Sequence, residues 1–309
     1  MKLLNFATLN VRGLKKIYDK EGSPTGSELS NIITDCEKHN IDAIGLQETH
    51  FGALEHLQKE KGYTAFFSNE ANNRHHGVCI LVKDIYNPTF TRISPRVSAA
   101  RFRINSDKDI LFICGYAPHE TLANKSPEER TLFYNDLQKA IDLRNANTIP
   151  IIALDANAQT SSHNQEEIPP NVLGKYTKGT KINNNGFSLL HFAAENELLL
   201  ANTLFQHKMS RRTTWTAPYR AFTTSKGEIR RNPVHNQIDY IMVDKKYARF
   251  IQNARSYNNI NTDSDHNLVI ANIKLELSKL NTPKPNKDPQ INTANFRNTQ
   301  LLKEYCSPK

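Results

Sequence analysis

Short apolar runs punctuate the chain at residues 3–9, 43–46, 78–82, 110–116, 149–154, 198–201, 238–243 and 268–277. Runs of this length, bounded by polar and turn-forming residues, predict strands. Helical spacing is confined to three stretches. Residues 27–38 place Leu29, Ile32, Ile33 and Cys36 on one face. Ser126-Pro127-Glu128-Glu129 has the form of a capping box with proline at the first helical position, and opens a helix running to Leu143. Residues 186–196 carry Leu189, Leu190 and Ala193 in helical register. Many strands with so few crossover helices do not fit a regular alternation of strand and helix. They predict an α/β fold of two packed mixed β-sheets flanked by helices, a four-layered α/β sandwich. No internal repeat is visible.

The pattern stops near Ser278. Leu280-Asn281-Thr282-Pro283-Lys284-Pro285-Asn286-Lys287 is polar, basic and proline-bearing, with no periodicity that would bury a core. One domain over residues 1–277 and a basic linker or tail over 278–309 are therefore expected. Charge changes the picture further. The chain has 40 Lys+Arg against 31 Asp+Glu, a net +9, which favours a polyanionic partner, nucleic acid ahead of an acidic membrane. Cys36, Cys79, Cys114 and Cys306 lack paired spacing, and three fall in apolar patterns, so they read as reduced core residues of an intracellular protein. No run approaches the ~18 apolar residues of a membrane span. Met1 to Phe6 is too short an apolar stretch for a signal peptide and reads as part of the first strand.

Several strands end in residues ill suited to a core. The first closes on Asn10, the second on Gln47-Glu48-Thr49-His50, a middle one on Tyr116, and the next on Asp155-Ala156-Asn157. A later apolar strand contains Asp239. Ser264-Asp265-His266-Asn267 leads into the last apolar run. Adjacent strand side chains face opposite ways, so Asp265 and His266 cannot both enter one core, and either is costly to bury unpaired. Asp239 requires a cationic or hydrogen-bonding partner, for which His266 is the candidate, and Asp265 is then left to hold something else. Taken alone, the Asp-His pair also fits a turn with a satisfied histidine. Together, Asn10, Glu48, Asp155, Asn157, Asp239 and Asp265 offer four carboxylates and two amides. Hard oxygen donors of this kind suit Mg²⁺, with Mn²⁺ as a substitute. No sulfur or His-His spacing suits zinc; His75 and His76 are adjacent in a polar stretch and are expected in solvent.

These residues carry a resemblance. Thr8-Leu9-Asn10-Val11-Arg12-Gly13-Leu14, Gly45-Leu46-Gln47-Glu48-Thr49, Gly115-Tyr116-Ala117-Pro118 and Leu154-Asp155-Ala156-Asn157-Ala158 are followed by Thr214-Trp215-Thr216, Gln237-Ile238-Asp239-Tyr240-Ile241 and Ser264-Asp265-His266-Asn267. In this order they resemble the exonuclease–endonuclease–phosphatase (DNase I-like) superfamily, and within it the endonuclease domains of non-LTR retrotransposons, RTE-like elements above all. The resemblance covers residues 3–277. It implies Glu48 as the direct metal ligand, helped by Asp265 and Asn10. It also implies Asp155 as general base, Asn157 as a donor to the developing phosphorane, and His266 held by Asp239 as a cationic partner for a phosphate oxygen. Tyr116 would contact the phosphate or assist the leaving group, and Thr214 would contact substrate. Two departures stand out. Leu154 and Ala156 replace the Gly and Phe of the usual Gly-Asp-Phe-Asn block. Arg12 stands where abasic-site repair enzymes carry an acid, which removes a second-metal ligand.

Arg211 and Arg212, and Arg230 and Arg231 in a stretch that forms a variable hairpin over DNA in such relatives, are the expected phosphate contacts. Trp215 is expected to be half-buried packing. The implied activity is Mg²⁺-dependent nicking of DNA to leave 3′-hydroxyl and 5′-phosphate ends, priming reverse transcription by a following domain. The fragment is expected to be monomeric, free of membranes, and active in the nucleus. The alternatives are abasic-site repair and a domesticated, non-catalytic DNA- or protein-binding module.

Overall fold

The computed structural model describes residues 2–275 apart from 19–23, 52–54, 71–75, 106, 163–167, 218–219, 224–228 and 233, with backbone alone for 16–18, 24–25, 220–223 and 229–232. The tail expected at 278–309, and Cys306 with it, lie outside the described residues.

The strands of the two main sheets are, in chain order, β1 (Lys2–Asn10), β2 (Ala43–Gln47), β3 (Glu55–Glu60), β4 (Tyr63–Ser68), β5 (Val78–Lys83), β6 (Thr89–Ser94) and β7 (Val97–Arg103). They continue with β8 (Asp109–Tyr116), β9 (Thr148–Asp155), β10 (Leu198–Leu200), β11 (Asp239–Asp244), β12 (Ile251–Tyr257) and β13 (Leu268–Leu275). Seven pair in the order β12-β13-β1-β2-β5-β4-β3 and six in the order β10-β11-β9-β8-β7-β6. The helices are α1 (Glu28–Lys38), α2 (Glu120–Lys125), α3 (Pro127–Ile141) and α4 (Asn184–Glu195).

Three apolar clusters define four layers. Phe6, Ile80, Phe112, Ile151, Ile241 and Val269 fill the space between the sheets. The outer face of the seven-stranded sheet packs Leu9, Leu46 and Ile270 against Ile32, Ile33 and Cys36 of α1. The outer face of the six-stranded sheet packs Ile113 and Ile152 against Phe133 and Leu137 of α3 and Leu189 of α4. Both sheets are mixed, because β1–β2 and β8–β9 are parallel while their other pairings are antiparallel. The sheets approach closely at Gly45: a Cβ there would lie 2.8 Å from the Cys114 Sγ and 3.1 Å from the Ala153 Cβ.

The eight expected strands are all present. The structure adds β3, β4, β6, β7 and β12, and the short helix α2. β3 is an exposed edge strand, Glu-His-Leu-Gln-Lys-Glu, whose charges suit an edge and hide the strand pattern. One expected detail is corrected. Ser126 precedes α3, but its side chain makes no cap hydrogen bond; only its carbonyl accepts, from the Glu129 N–H. Ser27 does cap α1, its hydroxyl accepting from the Ser30 N–H at 3.2 Å.

This topology gathers one end of each sheet. Parallel strands β1 and β2 end together, with Asn10 opposite Gln47, and β8 and β9 end with Tyr116 opposite Asp155. Antiparallel β11 begins with Asp239 opposite Asp155, and β13 runs back along β1 with Val269 opposite Thr8.

Candidate active site

At this common rim lies a cleft of about 510 Å³. Asn10 joins the two sheets across its floor. The Asn10 amide nitrogen donates to Glu48 Oε1 at 2.7 Å and to Asp155 Oδ2 at 2.8 Å, and its oxygen accepts from the Arg12 N–H. Asn10, expected to help hold a metal, holds the two acids together through its amide nitrogen. Asp155 is buried, and Oδ1 accepts from the Asn157 N–H at 3.0 Å. Burial, and after it the charge of Asp239, push the Asp155 carboxyl up to about 7.

His266 and Asp239 form a buried ion pair, with Nδ1 lying 3.0 and 3.1 Å from the two Asp239 oxygens. Burial opposes charge on the imidazole, but the charge and hydrogen bonding of Asp239 outweigh it and lift His266 to about 9. Thr214 is buried, and its hydroxyl oxygen accepts from the N–H groups of Ile238 and Asp239 at 2.9 and 3.1 Å. That geometry makes Thr214 a support for Asp239.

Asp265 lies on the opposite side of His266. Its Oδ2 takes the Arg12 guanidinium and the Trp215 indole N–H, each at 3.1 Å, while its Oδ1 is buried with no hydrogen-bond partner. Trp215 is half-buried, as expected, and also orients this carboxylate. Glu48 follows β2 in left-handed backbone, as do Arg12, His50 and Asn157 nearby, at φ of 52°, 51°, 54° and 46°. Strained backbone of this kind collects where side chains must be aimed. Glu48 Oε2 lies 3.6 Å from His50 Nε2. Ligand atoms of Asp155, Asp239 and His266 lie within 4.8 Å of one another, but the ion pair already satisfies two of the three. The donors that fit a hard cation are Glu48 and Oδ1 of Asp265, which accepts no hydrogen bond and faces His266 Nε2 at 3.9 Å.

Tyr116 reaches Glu48; burial, then the charges of Glu48 and Asp155, hold its phenol protonated well above the ordinary range. Sequence reasoning missed its support. Arg96 stacks over the Tyr116 ring at 5.2 Å, donates to the Tyr116 carbonyl at 3.3 Å, and approaches His76 at 3.3 Å. His76, expected in solvent, is thus partly buried; His75 lies outside the described residues. Asn157 donates to the Ala117 carbonyl, and its own carbonyl accepts from Asn183 and Asn185 at 3.2 Å each. The triple asparagine before Gly186 was the available signal for this second missed support. Asn183 also caps α4, accepting from the Gly186 N–H at 2.8 Å.

Of the expected phosphate contacts, Arg211 is exposed and Arg212 is partly buried, donating to the Thr177 carbonyl at 3.2 Å; neither lines the cleft. Arg230 and Arg231 sit in an antiparallel ribbon, Ile229–Asn232 against Arg220–Thr223. That is the expected hairpin in its backbone, and its side chains lie outside the described residues.

The craniofacial development protein 2 of Bos taurus is 28% identical over 253 residues, covering 81% of this chain and 39% of its own length. That of Tragulus javanicus is also 28% identical, over 81% of this chain and 40% of its own. The chain thus spans about two-fifths of the length of these curated relatives. Among solved structures, the catalytic domain of Xenopus laevis APE2 superposes with a TM-score of 0.61 at 14% identity, over 89% of this chain and 94% of its own. The endonuclease domain of TRAS1, a telomere-specific non-LTR retrotransposon, gives 0.57 at 12% identity, over 88% and 99%. Both share the two-sheet DNase I-like fold. The model of the endonuclease/exonuclease/phosphatase family matches residues 7–266, and the chain belongs to that family.

Proposed function

We propose that this chain is a divalent-metal-dependent DNA endonuclease of the retrotransposon kind, with Mg²⁺ at Glu48 and Asp265, nicking to leave 3′-hydroxyl and 5′-phosphate ends. The observation that carries the reading is the pairing of the Asp239–His266 ion pair with Asp155 beside Glu48 on one cleft floor. Asp155, made basic by burial, takes the proton of the attacking water. His266, fixed at Nδ1 by Asp239, presents its Nε2–H to a non-bridging phosphate oxygen. Tyr116 stays a neutral donor toward the phosphate, and the second amide N–H of Asn157 faces the same charge. When bound, the cation supplies positive charge that polarises the phosphoryl group and stabilises the leaving 3′-oxygen. The net charge of +9 supports a polyanionic substrate. In its natural setting the new 3′-end would prime a reverse transcriptase carried by a longer protein, acting in the nucleus.

The test is nicking of supercoiled plasmid with Mg²⁺, followed by polymerase extension of the nicks without end repair. Nicking that yields directly extendable ends supports the reading. DNA binding without nicking would favour a non-catalytic module, and cutting confined to abasic sites would favour repair.

A further inference from the structure

A second concavity, of about 210 Å³, lies outside the cleft. Ser210 and Arg211, in the short turn Met209–Arg211, form one wall, and Arg255, Ser256 and Tyr257 of β12 form the other. No carboxylate lines it. The Arg255 guanidinium lies over the Tyr257 ring, 4.1 Å from its centroid. Stacking occupies the face of the guanidinium and leaves its N–H edge open to a bidentate oxyanion. Arg211 is exposed, and among the described residues neither arginine has an acidic partner; the paired arginines are Arg12, Arg101 and Arg103. Two unpaired guanidiniums facing one hollow repel each other until an anion enters.

Both walls are joined by short stretches of chain to residues of the site. Tyr257 pairs with Leu268, two residues past His266, and Arg211 precedes Thr214, the support of Asp239, by three. Arg255 itself pairs with Ile270, four residues past His266. At ~3.3 Å per extended residue it lies on the order of 15 Å from the ion pair, while the Met209–Arg211 turn is three residues from Thr214. Successive nucleotides of a duplex strand rise ~3.4 Å, so that distance is a few nucleotides. We propose that this concavity is a phosphate subsite that grips the DNA backbone a few nucleotides from the bond cut, with Arg255 as its fixed donor and Arg211 as its mobile one. The inference rests on the nuclease reading above. Nearness to the cleft favours a phosphodiester of the substrate over a free phosphate.

The test measures DNA binding by fluorescence anisotropy against salt, in an Asp155→Asn background that blocks cutting. It uses a long duplex and one truncated just past the nick site on either side. Arg211→Gln and Arg255→Gln should each lower the slope of log K against log salt by about one on the long duplex and leave it unchanged on the truncated one. Arg255→Lys, which keeps the charge, should retain most of the slope, and circular dichroism melting checks that each variant folds. Unchanged slopes on the long duplex overturn the subsite while leaving the nuclease reading intact. Equal losses on both duplexes overturn its placement. If inorganic phosphate raises the melting temperature of the parent but not of the variants, and DNA slopes do not change, the hollow binds free phosphate and the proposal fails. A parent that binds no DNA overturns the subsite; a wild type that also fails to nick plasmid overturns the nuclease reading with it.

Discussion

On one side of the cleft, Asp155 and Asp239 come from strand ends held by sheet register, His266 sits two residues before β13 in an isolated bridge to Trp215, and all three are buried. On the other, Arg12, Glu48 and His50 stand in left-handed loop backbone, and the Arg12 side chain is 53% exposed. The first side is fixed by hydrogen-bonded pairing before any side chain is chosen, and its low dielectric makes its charges strong and its proton affinities unusual. The second side is more open to solvent, which suits the place proposed for an ion and a substrate to enter. The family fold provides the register; aiming the loop acids depends on local backbone.

The buried side should show the largest effects. His266→Ala and Asp155→Asn are each expected to lower the nicking rate on the order of 10³-fold, about 4 kcal/mol of transition-state stabilisation. Asp239→Ala should do similar damage and, by leaving His266 without its partner, should lower unfolding stability in urea by about 3–5 kcal/mol. A variant at any of the three that nicks like wild type would dissolve the contrast.

The next effect is in pH. Activity should rise as Asp155 loses its proton near pH 7 and fall as His266 loses its own near pH 9. The His266 pKa is raised on folding, so the ion pair's stabilisation is complete below the ordinary value of 6.5 and is lost as pH rises through about 9. Melting temperatures across this window should follow that sign. In Asp239→Asn the alkaline limb of activity should move to lower pH.

The open side should respond more gently. Arg12→Ala removes a half-exposed pair and should change stability by less than about 1 kcal/mol. It also removes the cation that competes for Asp265, leaving only the Trp215 indole N–H on Oδ2, so Mg²⁺ measured by calorimetry without substrate should bind several-fold tighter. Unchanged affinity would remove Asp265 from the ion's ligands.

The same divide explains what the sequence revealed. Asp239 was legible because an acid in the apolar run Ile238-Asp239-Tyr240-Ile241 demands a partner, and the strand pattern itself predicted the two sheets. The Arg12–Asp265 pair was not legible, since it depends on backbone at φ 51° that brings the two side chains together across the cleft. Arg96 was missed for a related reason: it sits in the turn between β6 and β7, strands whose mixed polarity hid them, and only the fold brings it to Tyr116. Thr214 was visible as a residue but not as a contact, because hydroxyls that accept from backbone look the same in sequence as those that face a ligand.

The central claim is that Asp239 and His266 act as one unit in cutting DNA. A double-mutant cycle with Asp239→Asn and His266→Gln, read as the nicking rate of supercoiled plasmid, tests it directly. Strong non-additivity is expected, with the double variant no slower than the worse single one. Independent, additive losses would contradict it.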